Sequence, residues 1–406
     1  MIRIFSEIDR LQSVVLHRPG RELERLSPKY LDEMLFEDVP FLEQMQDEHD
    51  RFADLLREHG VTVHYLETLL HDVFTDLAVR RAVVEQTIEH WGQRSDATRQ
   101  ALLERVAGQT AAETVAWMIE GVRRDDLPLP PGTARLAQLV YDDYPFLIDP
   151  VPNLYFMRDP AAVIGRGVAV ASMKTRARQR EAILLDAITQ HHPLFAEGAQ
   201  LWRGVGDEST IEGGDVLVLS REVVAVGCGS RTAPAAIEEL AERLFVGDEA
   251  IKTVLVVQLP FSRSYMHLDT VCTMVDRNTF LVYPGILPHL RIFRISRGAR
   301  RLKIEAAGSL SETLQRELHL EELCVLESGG DDAITAAREQ WNDGTNTLAL
   351  APGVVVTYRR NRVSNAILRD HGVTVLEIAA SELVRGRGGP RCMTMPLARA
   401  AVASGD

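Results

Sequence analysis

The sequence predicts a mixed α/β fold assembled from repeated hairpin-and-helix units, with a helical subdomain set into it. Three observations lead there. Asn153 to Ser172, Gly214 to Thr232, His267 to Gly285 and Asn346 to Arg359 share one form: a small or polar start, an apolar run, a short turn and a second apolar run. Helical stretches such as Pro234 to Leu244 and Ser311 to Leu318 fill several of the gaps between copies. Residues 68–145, by contrast, read as helix, with no convincing strand before Leu127-Pro128-Leu129-Pro130-Pro131. Repeated supersecondary units point to a closed or stacked array, in which the hairpin starts can converge on one axis. A single open mixed sheet is the alternative that periodicity alone leaves standing.

In order along the chain, Leu11 to Gly20 is a short strand ended by the Pro19-Gly20 turn. Phe41, Met45, Phe52, Leu55 and Leu56 keep helical spacing, and Gly60 occupies the place of a C′ glycine. Val61 to Leu66 returns to strand. Ala78 to Trp91 is helical in composition. Ser95 and Thr110 are predicted N-caps, with Glu113 at capping-box spacing from Thr110. The predicted organisation is an α/β domain made of residues 1–67 and 146–406, interrupted by a helical insert over 68–145.

The 406 residues supply ample core for one large domain or a few smaller ones. Apolar and charged fractions of 46% and 25% are those of an ordinary soluble globular chain. A formal net charge of −13 argues against non-specific nucleic-acid binding and is compatible with a small cationic substrate. Four cysteines in so long a chain make no disulfide framework. Cys228, Cys272 and Cys324 fall in apolar, strand-like runs and read as buried and inert. No apolar stretch reaches the roughly 18 to 20 residues that span a bilayer, and the N-terminus lacks the apolar core of a signal peptide. The expectation is a cytoplasmic protein with no membrane and no nucleic-acid partner.

Cys392 differs from the other three. It follows Gly386-Arg387-Gly388-Gly389-Pro390-Arg391, where glycines permit tight turns and close approach to a ligand. A lone Cys is more often a small buried hydrophobe than a nucleophile. Cys392, however, is accompanied by a distant His and several carboxylates, a pattern of covalent catalysis. Three further motifs lie at or near hairpin starts. They are Pro152 to Pro160, which contains Asn153, Phe156 and Asp159; Ile211-Glu212-Gly213-Gly214-Asp215; and Met266-His267-Leu268-Asp269-Thr270. His267 and Asp269, at i and i+2 on a strand, would share a face.

These residues resemble the arginine deiminases, members of a guanidine-modifying superfamily built on a five-bladed α/β propeller of pentein type. The resemblance runs from Ser6-Glu7-Ile8 and Leu16-His17-Arg18-Pro19-Gly20 through the three motifs above. It takes in Arg338-Glu339-Gln340-Trp341-Asn342-Asp343-Gly344 and closes on the Cys392 loop. The helical insert is similar to the five-helix domain of deiminases that act on free arginine. Position 157 is Met where many relatives carry Thr, and position 391 is Arg where some carry His; neither is assigned to chemistry.

The resemblance implies hydrolytic deimination of free L-arginine to L-citrulline and ammonia, with no metal and no cofactor. A guanidinium is planar and resonance-stabilised, so its carbon is a poor electrophile and needs a strong nucleophile. By the resemblance Cys392 attacks that carbon to give an S-alkylthiouronium, His267 acts as acid and base, and Glu212 orients His267. Asp159 and Asp269 bind the guanidinium nitrogens with paired charge-assisted bonds. Arg178, Arg231 and Arg387 are candidates for the substrate carboxylate, because a planar fork suits bidentate recognition. Asn153 and Phe156 are further lining candidates, and Leu35 belongs to a segment expected to close over the substrate. Competing expectations are amidino transfer, or action on agmatine or methylated arginines. A metal-binding protein using Glu212, His267, Asp269 and Asp159 as ligands is another. By analogy with the family, a homo-oligomer, dimer or tetramer, is expected.

Overall fold

The computed structural model describes residues 2–90, 96–127, 144–196 and 198–400. Its strands divide among separate sheets, and five of these follow one plan. Two antiparallel strands come first, then a helix, then a third strand parallel to the second. A parallel return needs a long crossover, and a helix is the usual one.

The apolar run Ala161–Ile164 pairs antiparallel with Gly167–Val170, and every residue of both strands is buried. Helix Arg176–His191 then returns the chain to Gln200–Arg203, parallel to Gly167–Val170. Val216–Val218 and Val223–Cys228 repeat the hairpin, and helix Pro234–Gly247 leads to Thr253–Gln258. That sheet alone gains two more strands, Arg291–Arg297 and Leu302–Ala306. Cys272–Asp276, Thr279–Val282, helix Leu310–Glu317 and Cys324–Glu327 form the next unit. Leu348–Ala351, Val354–Tyr358, helix Arg362–Asp370 and Thr374–Ile378 form another.

The remaining unit joins the two ends of the chain. Leu11–Leu16 lies between Met395–Arg399, antiparallel, and Thr62–Tyr65, parallel, with helix Leu42–Glu58 as crossover. Each proposed repeat copy thus contains one antiparallel hairpin. The single continuous sheet that periodicity allowed does not form, and no closed barrel appears among the described residues.

Helices Leu66–Phe74, Leu77–His90, Asp96–Ala107 and Ala111–Glu120 follow the strand Thr62–Tyr65. Leu66, Leu70, Phe74 and Val84 share a core with Ile183, Leu184 and Ile188 of the Arg176–His191 helix, which fastens these helices to the unit that begins at Ala161–Ile164. Thr110 forms the capping box: its hydroxyl accepts the Glu113 N–H at 3.2 Å, and the Glu113 carboxylate accepts the Thr110 N–H at 2.7 Å.

Three sequence expectations need correction or limits. Val122–Arg123 is a strand, paired antiparallel with Phe146–Ile148, where none was expected; two residues carry no periodicity to detect. Of the three strand cysteines only Cys272 is buried, while Cys228 and Cys324 sit half-buried at strand ends. Trp91, Ser95 and Pro128 to Pro131 lie outside the described residues. Among the described residues no helix is long and apolar enough to cross a membrane.

Candidate active site

The four motifs and Asn346 occupy equivalent places. Asp159 precedes the strand Ala161–Ile164, and Glu212 precedes Val216–Val218. His267 and Asp269 precede Cys272–Asp276, Asn346 precedes Leu348–Ala351, and Cys392 precedes Met395–Arg399. Each is therefore delivered from the loop that enters the first strand of a unit. Two of these loops are single 3₁₀ turns, Gly213–Asp215 and Leu268–Thr270. The second corrects the expectation of a strand through His267 and Asp269: His267 caps the turn and Asp269 lies within it. The two side chains converge through the turn, not through strand alternation.

Cys392 is buried, with its Sγ 3.6 Å from Asp269 Oδ2 and its N–H donated to Asn346 Oδ1 at 2.9 Å. Asn346 also donates to the Asp269 carbonyl at 3.2 Å, so one amide fixes the two segments together. His267 Nε2 lies 2.7 Å from Glu212 Oε2, and its Nδ1 lies 3.5 Å from Asp159 Oδ1. The imidazole is thus held between two carboxylates. The approach requires Gly214: a Cβ there would lie 2.7 Å from both Asp159 Oδ1 and His267 Nδ1. Gly388 serves the Cys392 loop in the same way, since a Cβ would strike the Phe156 ring at 2.2 Å.

Burial and charge set the protonation states. Burial disfavours the His267 cation, but Asp159 and the Glu212 bond outweigh it and raise its pKa to about 9. Glu212 is pushed up by burial and pulled down harder by His267, Arg231 and Arg178, reaching about 2. At neutral pH the pair is an imidazolium and a carboxylate. Burial, followed by Asp269, Asp159 and Asp343, drives the Cys392 pKa well above that of an ordinary thiol, so Cys392 is protonated at neutral pH.

Leu35, Asn153, Phe156, Asp159, Arg178, Arg231, His267, Arg387 and Cys392 line one cavity, together with Met266, Thr270 and Gly386. Glu212 and Asp269 stand directly behind it, against His267 and Cys392. Arg178 is engaged on all sides. Glu181 accepts from its Nε at 3.0 Å and its Nη2 at 2.7 Å, Asp159 accepts from Nη1, and the Asn153 and Phe156 carbonyls take Nη2. Arg231 reaches Glu212 Oε1 at 3.5 Å and Thr175 Oγ1 at 3.3 Å. The Arg387 guanidinium lies 3.4 Å from the centroid of the Trp341 ring.

Leu35 and Arg387, from the two segments over the cavity, both hold positive φ, 62° and 64°. That conformation costs a non-glycine residue on the order of 1–3 kcal/mol and clusters at functional sites. Asn153 donates to the Met34 carbonyl at 2.7 Å, which ties the Leu35 segment to the cavity wall.

Several residues at this site were not singled out by sequence. Arg391, set aside as carrying no chemistry, is buried and donates to Asp269 Oδ2 at 2.8 Å, to Glu7 Oε2 at 3.0 Å and to the Val216 carbonyl at 2.8 Å. It holds the carboxylate that faces the thiol. Asn346, Glu181 and Asp343 were missed as well. Asn346 stands at the start of a repeat copy, the one signal that could have marked it. Asp343 is buried with a carboxyl raised by that burial to about 7, partly offset by Arg387. Among the described residues no group of three or more His, Cys, Asp or Glu is arranged to hold a metal ion.

Comparison with known proteins gives one consistent result. The family model described as "Arginine deiminase" matches residues 32–399. The chain is 46% identical over 404 residues to a Bacillus cytotoxicus protein named arginine deiminase, covering 98% of each. Among solved structures, the N-terminal domain of ArgZ, covalently bound to a reaction intermediate, superposes with a TM-score of 0.54 at 12% identity. That likeness covers 95% of this chain and 98% of the domain. AgrE gives a TM-score of 0.55 at 14% identity over 97% of this chain, which spans only 40% of the AgrE chain. At such identities these structures are similar in fold alone, a mixed α/β one.

Proposed function

Because this chain belongs to the arginine deiminase family, we propose that it hydrolyses free L-arginine to L-citrulline and ammonia through a covalent adduct on Cys392. The observation that carries this reading is the meeting of a protonated thiol, an imidazolium–carboxylate pair and two further aspartates at one small cavity. Neutral or anionic substrates gain nothing there. A guanidinium supplies the charge that the acids lack.

In this reading Asp159 and Asp269 receive the guanidinium nitrogens. The incoming cation offsets the acids that hold the proton on Cys392, and that proton passes to solvent. The thiolate sulfur bonds to the guanidinium carbon. His267 donates its proton to the departing nitrogen, which leaves as ammonia, and an S-alkylthiouronium remains. The now neutral His267 takes a proton from water. The hydroxide adds to the same carbon, the C–S bond breaks as the new hydroxyl gives up its proton to the departing sulfur, and citrulline is released with Cys392 again a thiol. Glu212 keeps His267 cationic between turnovers and aims its ring. Asn153 and Phe156 line the alkyl path. Arg231 and Arg387 take the α-carboxylate end, and Arg178, occupied by Glu181 and Asp159, acts chiefly by bracing Asp159.

The cavity offers about 30 Å³, room for little more than a water or two. Admission of arginine therefore requires the segments carrying Leu35 and Arg387 to open and then close, and their strained backbone favours such a step. We read the five like-built sheets, linked end to end by the pairing of the last strand with the first, as a five-bladed α/β propeller of pentein type. Residues 1–67 and 146–406 form it, with the helical insert at 68–145. By analogy with the family we further propose a cytoplasmic homo-oligomer that works without a metal or cofactor.

Incubation with L-arginine and colorimetric detection of a ureido product tests the reaction. Wild type should form citrulline and ammonia in equal amounts, and Cys392→Ala should form none while still binding arginine. An amidinated acceptor, another ureido product, or undiminished turnover by Cys392→Ala would replace this reading.

A further inference from the structure

A second cavity, on the face of the molecule formed by helices Leu42–Glu58 and Arg362–Asp370, has a different chemistry. Its volume is about 880 Å³, and five arginines line it: Arg51, Arg359, Arg360, Arg362 and Arg369. The chain as a whole carries a net charge of −13, so this concentration of cations runs against its composition.

The acids in the same cavity neutralise only part of this charge. Glu377 is taken by Arg369 at 2.7 Å and by Asn365 at 3.1 Å. Glu48 is buried and accepts from the Ser381 N–H and hydroxyl and from the Glu382 and Leu383 N–H groups. Among the described residues Arg360 makes one long hydrogen bond, 3.5 Å to the Ala380 carbonyl, and its charge also acts on the Asp343 carboxyl. Arg51, Arg359 and Arg362 have no side-chain hydrogen bond or ion pair among the described residues.

The N-terminal amides of helix Arg362–Asp370 are also occupied. Glu339 accepts from Val363 and Ser364, both at 2.8 Å. Three of the five guanidiniums facing the cavity, those of Arg51, Arg359 and Arg362, therefore have no carboxylate partner among the described residues. Such a set repels itself, and an anion relieves the repulsion.

We propose that this cavity binds a multiply charged phosphate-bearing anion. Planar guanidinium forks match phosphate oxygens in pairs. A site of this size accommodates a ligand as large as a nucleotide, yet among the described residues its only apolar side chains are Ala379 and Ala380, and no aromatic ring lines it. The phosphates, not a base, are what it recognises. Its wall at Ser381 begins the segment that Glu48 anchors and that runs on to Arg387 and Cys392.

The test is calorimetric titration of the full chain with tripolyphosphate at low ionic strength. One saturable site per chain is expected, weakening as salt is added. Arg359→Ala/Arg362→Ala should bind at least tenfold more weakly, with arginine turnover unchanged as proof of an intact fold. A control pair, Arg300→Ala/Arg301→Ala, removes cations from a separate cleft where Glu238 and Glu242 also sit, and should keep wild-type affinity. ATP, titrated in parallel, should bind no more tightly than tripolyphosphate, and Arg359→Ala/Arg362→Ala should weaken both; tighter binding of ATP would show that a base is read as well and would overturn recognition by phosphates alone. No saturable binding, binding unchanged in Arg359→Ala/Arg362→Ala, or an equal loss in Arg300→Ala/Arg301→Ala would overturn it.

Discussion

Asp269→Asn is expected to make Cys392 more reactive toward an alkylating agent even as it destroys turnover. Asp269 Oδ2 sits 3.6 Å from the sulfur. A charge at that distance costs the thiolate about 5 kcal/mol at an effective dielectric near 20, a factor of more than about a thousand in the thiolate-to-thiol ratio. A less basic thiolate is also a weaker nucleophile, with a Brønsted slope near 0.4–0.5, so roughly half of that logarithmic gain survives as rate. The net expectation is an acceleration on the order of 50-fold near neutral pH. Arg391 stays in place through Glu7 and the Val216 carbonyl, which limits rearrangement around the new amide. The assay is the rate of iodoacetamide modification of the Cys392 peptide, followed by mass spectrometry from pH 6 to 10 in both proteins. Cys228 and Cys324 act as internal references. An unchanged or slower rate would refute the electrostatic account. So would a faster rate with no acid shift of the pH profile, because that pattern reports access and not charge.

Glu212→Gln removes a partner that holds His267 up at about 9. The imidazolium should then be lost at lower pH, and the alkaline limb of the turnover profile should move to the acid side; a profile at its wild-type position would contradict this. Gly214→Ala places a methyl 2.7 Å from both Asp159 Oδ1 and His267 Nδ1. Turnover should fall at least a hundredfold, roughly what a displacement of order 1 Å costs, while thermal stability changes by only a few degrees. His17 lies buried between Glu22 at 3.1 Å and Glu67 at 2.7 Å, and its pKa is raised to about 10, the two acids overcoming the effect of burial. Its folded pKa exceeds the unfolded value, so its contribution is complete below about pH 6.5 and is lost as pH rises through 10. His17→Gln should therefore cost about 3–5 kcal/mol at pH 6, measured by denaturant unfolding, and much less near pH 10; a cost independent of pH would exclude the ion-pair explanation.

The repeat copies were legible because each buries both faces of its hairpin. Ala161–Ile164 and Gly167–Val170 must be apolar throughout, and that pattern survives in one dimension. Thr110 and Glu113 were legible because a capping box is local. Cys392, His267, Asp159, Glu212 and Asp269, which come together at or behind one cavity, lie in motifs whose glycines and spacings are unusual in themselves. Arg391 could not, because nothing local distinguishes an arginine that pairs with Asp269, 122 positions away, from one on the surface. Nor could the 3₁₀ turn at Leu268–Thr270 be told from a strand, since three residues carry no period.

By itself, then, the sequence settled what kinds of groups are present and where along the chain they fall: a hairpin repeat, a helical stretch, one unusual cysteine and its acid partners. Tertiary structure decided which charges share a cavity. Pairing Met395–Arg399 with Leu11–Leu16 carries Cys392 across the whole chain to the loops of Asp159, Glu212 and Asp269. The protonation states of those groups follow from that proximity and from the exclusion of water, and neither is a property of any segment alone.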